Sequence, residues 1–167
     1  MIERERLNEI HELARRHGLE IVAEDTERPW GAWFKLDEAR LDEFAAAFFP
    51  GLELPPPAHR EKMSPKFLVV QPGARLSWQY HHRRREEWRV IWGPVGVAIS
   101  GTDEEPSPRT YAEGERISIS QGERHRLVGL GEWGLVAEIW IHTDPEHPSD
   151  EDDIVRLQDD YDRSSPV

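Results

Sequence analysis

Four side chains able to bind a metal ion fall in two short stretches. Gln79 and His81 stand two residues apart in Trp78-Gln79-Tyr80-His81-His82, Glu86 follows the run Arg83-Arg84-Arg85, and His125 stands three residues after Gly122. If residues 78–82 are extended, alternation puts Gln79 and His81 on one face and Trp78, Tyr80 and His82 on the other. An antiparallel return after the arginines would bring the Glu86 carboxylate beside that pair, and His125, at the mouth of a later hairpin, would close the group from across a barrel. An amide oxygen, two imidazoles and a carboxylate suit one divalent ion, Zn²⁺ as first choice, with Mn²⁺, Fe²⁺, Co²⁺ or Ni²⁺ as alternatives. Water would complete the shell and leave a position open for catalysis. A lone strand histidine is more often a packed or surface group. The spacing of the four is what favours an ion.

The elements that must hold these residues change character along the chain. Residues 3–17 carry Leu7, Ile10 and Leu13 at helical spacing with Gly18 placed to end the helix. A short extended piece at 19–23 leads to Arg28-Pro29-Trp30-Gly31, a second helix is expected over 37–48, and Pro55-Pro56-Pro57 forms a stiff connector. From Lys66 onward, short apolar or alternating runs at 67–70, 88–92, 95–99, 117–119, 125–128 and 135–141 read as strands separated by turn residues. That spacing predicts a mainly β chain folded as a sandwich or barrel. Residues 1–62 are expected to pack on the barrel as a helical and extended segment, and 63–167 to form the barrel with a C-terminal extension, in one structural domain overall.

A chain of 167 residues suits one domain. Its 33 acidic against 21 basic residues give a formal charge of -12, which repels a phosphate backbone or an anionic lipid surface, so neither nucleic acid nor a membrane is an expected partner. The arginine run leaves room for a local basic pocket and a small anion. Cysteine is absent, which excludes thiolate ligands and disulfides. The polar start Met1-Ile2-Glu3-Arg4 shows no signal-peptide core, so a cytoplasmic location is expected. Edge strands and added N-terminal elements make a homodimer the expected assembly.

The pattern Gly73-x5-Gln79-x-His81-x4-Glu86-x6-Gly93 resembles the first cupin motif, and Gly114-x5-Ser120-x-Gly122-x2-His125 the second. Gln79 stands where most cupins have His and Ser120 where the second motif usually has Pro. A Gln in that place is what phosphomannose isomerases use. Arg28-Pro29-Trp30-Gly31, Arg84-x-Glu86-x-Trp88 and Asp153-Ile154-Val155-Arg156 through Arg163 also look like landmarks of that family. The chain is therefore similar, over about residues 28–163, to the cupin domain of type II mannose-6-phosphate isomerases, the relatives of GDP-mannose pyrophosphorylases. The resemblance implies a single jelly-roll barrel with N-terminal helices, the four ligands above and isomerisation of a sugar phosphate, mannose 6-phosphate first.

An aldose–ketose isomerase needs a base near the carbon and a cation or acid near the oxygens. Glu138, charged inside the apolar strand Ala137-Glu138-Ile139-Trp140, is the candidate base. Pattern alone allows it to face the interior or to point outward on an edge strand, and the resemblance favours the interior. Lys66, Arg84 and Arg156 occupy places comparable to the sugar-site cations of those enzymes and are candidates for orienting hydroxyls or holding phosphate. A free-sugar isomerase, such as one for lyxose, or a non-catalytic sugar-binding cupin are the alternatives. Trp88, Trp92 and Trp140 are expected as barrel wall, and His11, His17, His59, His142 and His147 as surface groups.

Overall fold

The computed structural model describes residues 1–163; the last four residues assigned to the barrel segment lie outside them. In chain order the elements are α1 (Arg4–Arg16), β1 (Ile21–Arg28), β2 (Gly31–Leu36), a 3₁₀ turn (Glu38–Arg40), α2 (Leu41–Phe48), a second 3₁₀ turn (Pro57–His59), β3 (Lys66–Val70), β4 (Trp78–Tyr80), β5 (Arg84–Trp92), β6 (Val95–Ser100), β7 (Arg109–Tyr111), β8 (Arg116–Ile119), β9 (Arg124–Gly129), β10 (Gly134–His142) and β11 (Val155–Gln158). The strands make two antiparallel sheets, β1-β2-β3-β10-β5-β8 and β11-β4-β9-β6-β7, that face each other as a jelly-roll-like barrel. No helix among the described residues is long and apolar enough to cross a membrane.

Helix α1 forms where expected. Ile10, Leu13 and Ala14 give it one buried stripe, Arg15 and Arg16 sit at its negative end, and Gly18, at φ +68°, lets the Leu19 amide return to the Ala14 carbonyl. The second helical segment is split: the Asp37 side chain caps a 3₁₀ turn by accepting from the Ala39 amide at 3.0 Å, and α2 follows. Both helices cover the outer face of the larger sheet, where Phe48 meets Phe67 edge-on at 5.5 Å.

The N-terminal region contributes more sheet than its sequence suggested. β1 runs on to Arg28, and β2, which the sequence reading did not find, pairs with β3 through Gly31↔Val70 and Lys35↔Lys66. Gly31, at φ +150°, permits this approach, since a Cβ there would lie 1.9 Å from the Val69 carbonyl oxygen. Short strands β7 and β11 were also not anticipated.

Two apolar clusters lie on opposite faces of the larger sheet, and alternation assigns each residue to one. Phe67 and Val69 of β3, and Leu135, Ala137 and Ile139 of β10, face the helices. Leu68, Val70 and Val136 face the barrel interior with Trp88 and Val90 of β5. Glu138 shares the face of Val136, and β10 lies between β3 and β5, so its carboxyl points inward from a central strand and not outward from an edge.

Candidate metal centre

The candidate ligands converge by a different route from the simple hairpin return. β4 and β5 belong to different sheets. The cross-strand neighbours of Gln79 are His125 on β9 and Arg156 on β11, whereas Glu86 reaches the group across the barrel from β5. The expected places of Glu86 and His125 are thus exchanged. Residues 81–83 turn the chain from one sheet to the other, and a turn between sheets cannot pair the strands it joins.

His81, Glu86 and His125 are buried, and one ligand atom from each lies within 4.8 Å of the others. His81 Nδ1 donates to the Asp153 carbonyl at 2.7 Å, and His125 Nδ1 donates to the Glu123 carbonyl at 3.0 Å. A carbonyl can only accept, so both Nδ1 atoms carry hydrogen, and in the neutral rings both Nε2 atoms present lone pairs. They point at Glu86: His81 Nε2 is 3.1 Å from Oε1 and His125 Nε2 is 3.5 Å from Oε2. The second distance is too long for a well-formed hydrogen bond, and His125 Nε2 is buried with no hydrogen-bond partner among the described residues. Converging lone pairs around a buried, unpaired nitrogen fit a divalent cation. Gln79 and Glu86 line one cavity of about 120 Å³. Burial alone would raise the Glu86 pKa, but the facing imidazoles outweigh it and hold the carboxyl well below its ordinary value.

The turn that carries His81 is fastened from outside. The Asp153 carboxylate accepts the amides of His82 at 2.9 Å and Arg83 at 3.0 Å and the Ser149 hydroxyl at 2.6 Å. Burial works against the charge of Asp153, yet these donors bring its pKa down to about 2. Gly122, at φ +78°, donates its amide to the His81 carbonyl at 3.1 Å, which ties the turn before β9 to the first ligand strand. Neither Asp153 nor Ser149 was found from the sequence, because their partners lie about 70 residues away.

Beside the ligands, β5 and β10 form a checkerboard. Trp140 lies opposite Glu86, and Trp88 opposite Glu138. The Trp88 indole N–H is shared between Glu86 Oε2 at 3.1 Å and Glu138 Oε2 at 2.9 Å, and the Trp140 N–H donates to Glu138 Oε1 at 3.1 Å. Both indoles belong to the site as well as to the wall. Glu86-x-Trp88 and Glu138-x-Trp140 were the available signal, since residues two apart in a strand share a face. Burial, helped by the Glu86 carboxylate and opposed by Lys66 and Arg84, pushes the Glu138 pKa up to about 8.

The candidate cations divide in their freedom to bind. Lys66 lies opposite Glu138 on β3, 3.8 Å from Oε1 and 3.6 Å from Glu151. Arg84 is buried against the Trp140 ring, and its donors are committed: Nε to Glu86 Oε1 at 3.0 Å, Nη1 to Ser149 Oγ at 2.9 Å and the Asp150 carbonyl at 3.1 Å, Nη2 to His81 Nε2 at 3.2 Å. It braces the ligands in this arrangement and has no fork free for phosphate. Arg83 faces Asp150 and Arg85 pairs with Glu87, so only the middle arginine of the run enters the cavity. Arg156 lies opposite Gln79, lines the cavity, and makes no hydrogen bond or ion pair among the described residues. One surface histidine is also better integrated than expected: His142 Nδ1 accepts the Ser149 amide and Nε2 donates to the Glu61 carbonyl, and burial lowers its pKa.

Comparison with known proteins agrees with this architecture. The family described as mannose-6-phosphate isomerase C-terminal matches residues 58–159. The mannose-1-phosphate guanylyltransferase ManC of Salmonella typhimurium is 30% identical over 136 residues, 81% of this chain and 22% of that protein. The alginate biosynthesis protein AlgA of Pseudomonas aeruginosa is 38% identical over 102 residues, 60% of this chain and 19% of that protein. The chain therefore spans about a fifth of the length of these relatives. Among solved structures, the capsular polysaccharide assembling protein CapF of Staphylococcus aureus superposes with a TM-score of 0.53 at 14% identity, covering 84% of this chain and 34% of that one, a likeness of fold alone. With the family match spanning more than half of its length, the chain is a cupin of the mannose-6-phosphate isomerase C-terminal family.

Proposed function

We propose that the chain is a metal-dependent aldose–ketose isomerase of a sugar phosphate, with mannose 6-phosphate and fructose 6-phosphate as the first pair to test. The observation that carries this reading is a buried carboxyl, Glu138, lining the same cavity as Gln79 and Glu86, with both oxygens oriented by indole N–H groups. Gln79, His81, Glu86 and His125 would hold the ion, Zn²⁺ first, and a bound ion would supply Lewis acidity to the substrate oxygens. Glu138 as carboxylate takes the proton from C2 of the open-chain aldose and returns it to C1, while the C2 hydroxyl proton passes to the C1 oxygen, so the ketose forms with no net proton change. Trp88 and Trp140 hold the base in place, and Lys66 balances its charge. Arg156 lines the cavity and makes no hydrogen bond among the described residues, so its donors are available to a ligand.

The family description and the relatives' names support a mannose-related substrate. The guanylyltransferase named for ManC belongs to a protein of which this chain matches 22%. The test is solvent deuterium exchange followed by NMR. Metal-loaded protein is expected to place deuterium at C1 of fructose 6-phosphate and to convert it to mannose 6-phosphate. Absence of exchange from every hexose phosphate, with the metal bound, would replace this reading by a non-catalytic sugar-binding one. Exchange from unphosphorylated ketoses at equal rate would replace it by a free-sugar isomerase.

A further inference from the structure

Trp30 is 5% exposed and forms part of the wall of the cavity that holds Glu86, Glu138 and Arg156. Its indole Nε1 is buried and finds no hydrogen-bond acceptor among the described residues. The other deeply buried indoles are satisfied: Trp78 donates to the Asp103 carbonyl at 2.9 Å, Trp88 to two carboxylates and Trp140 to one. An unmade hydrogen bond at a buried donor is costly, and chains seldom keep one without an acceptor that arrives from elsewhere. The backbone on either side is held, since the Trp30 carbonyl accepts the Gln71 amide at 2.9 Å and Gly31 sits against β3.

Position adds to this. Lys66 and Leu68 lie on the cavity side of β3, and Gly31, next to Trp30, pairs with Val70 at the end of that strand remote from Lys66. Trp30 thus stands roughly 13 Å of strand away from the Lys66–Glu138 end. A ligand reacting at Glu138 would extend its other end along this wall. The charge of that end is set by Arg156, which makes no hydrogen bond or ion pair among the described residues; Arg163 lines the same cavity but pairs with Asp159, and burial and Arg163 lower the Arg156 pKa while Asp159 and Glu151 oppose them. With Arg163 engaged by Asp159, Arg156 is the guanidinium of this mouth with donors left for an anion.

We infer that the indole N–H of Trp30 is a ligand-binding donor: it hydrogen-bonds an oxygen of a phosphorylated sugar whose charge is met by Arg156 in the same cavity. The inference rests on the proposed reading that the ligand is a sugar phosphate bound beside the metal centre. Trp30 is a neutral, pre-positioned specificity determinant, and Arg156 supplies the preference for phosphate.

The test is calorimetric titration of the full, metal-loaded chain with sorbitol 6-phosphate, an unreactive hexitol phosphate, and with sorbitol. Trp30→Phe keeps an aromatic ring and removes the donor; about tenfold weaker binding of sorbitol 6-phosphate is expected, with metal content unchanged. Arg156→Gln is expected to erase the preference for the phosphorylated probe. If Trp30→Phe unfolds the chain, benzothienylalanine at position 30 replaces the N–H by sulfur at nearly constant shape, and the same tenfold loss is expected. Undiminished affinity in either Trp30 variant overturns the inference. A wild-type chain that binds sorbitol 6-phosphate but never exchanges substrate hydrogen sinks the isomerase reading and leaves the Trp30 comparison intact.

Discussion

Replacing Asp153 by Asn removes one charge from the brace behind His81 and changes little in volume. The Asp153 carboxyl has an ordinary pKa of 3.8 and is held at about 2 in the folded chain. At 1.36 kcal/mol per tenfold change in proton affinity, that gap sets a ceiling of about 2.4 kcal/mol for what the ionised form contributes. Asp153 is buried, but the Arg83 and Asp150 side chains beside it are about 40% exposed, so solvent screening takes a share. Asn has one acceptor oxygen where the His82 and Arg83 amides use two, which restores part of the loss, so the expected cost is about 2 kcal/mol. The sign follows from the direction of the shift. Because the folded group titrates below the unfolded one, its stabilisation is complete above about pH 4 and is lost as pH falls through about 2. Urea unfolding of metal-free Asp153→Asn and wild type at pH 7 and pH 3 should therefore show a difference at pH 7 that shrinks by about half at pH 3. The reasoning is refuted by a difference of the same size at both values, or by none at pH 7. Since the Asp153 carbonyl also orients His81, metal affinity should fall about 10–100-fold in the same variant.

The site makes further predictions. His125→Ala and His81→Ala should abolish stoichiometric metal by elemental analysis, whereas Gln79→Ala should weaken it; unchanged content in Gln79→Ala and His125→Ala together would remove the four-ligand centre. Glu138→Gln should keep the metal and lose about 10²–10⁴-fold in isomerisation, read by a coupled assay. Trp88→Phe deletes a donor shared by two buried carboxylates and should cost about 2–3 kcal/mol in urea unfolding. Arg126→Met should cost about 3 kcal/mol or more, because the fully buried guanidinium holds the Leu76 carbonyl, Glu105 and Gln158 together.

Legibility from the sequence follows the range of the interactions. Alternation within one strand is local, so the strands of 66–141 other than the short β7 could be read directly, and the inward turn of Glu138 needed only the knowledge that β10 is central. Which strand lies beside which is not local. The exchange of Glu86 and His125 depends on a turn that changes sheets, and the commitment of Arg84 depends on residues 149–153 folding back over it. β2 escaped notice because Gly31 and the Arg28-Pro29-Trp30 turn read as a loop, and only the fit against Val69 shows why that glycine begins a strand. Trp30 could not be singled out at all, since an unpaired indole is recognised only once every neighbour is placed.

The distribution of the four candidate ligands between the two sheets has a mechanical consequence. Glu86 belongs to the six-stranded sheet, whereas Gln79 and His125 belong to the five-stranded one and His81 follows directly on it. An ion held by all four would cross-link the sheets through the barrel interior, in a chain that has no cysteine with which to build a disulfide. Loading and stripping the ion should then change how far the sheets can part, and amide hydrogen exchange in β4, β5 and β9 should slow together when the cross-link is made.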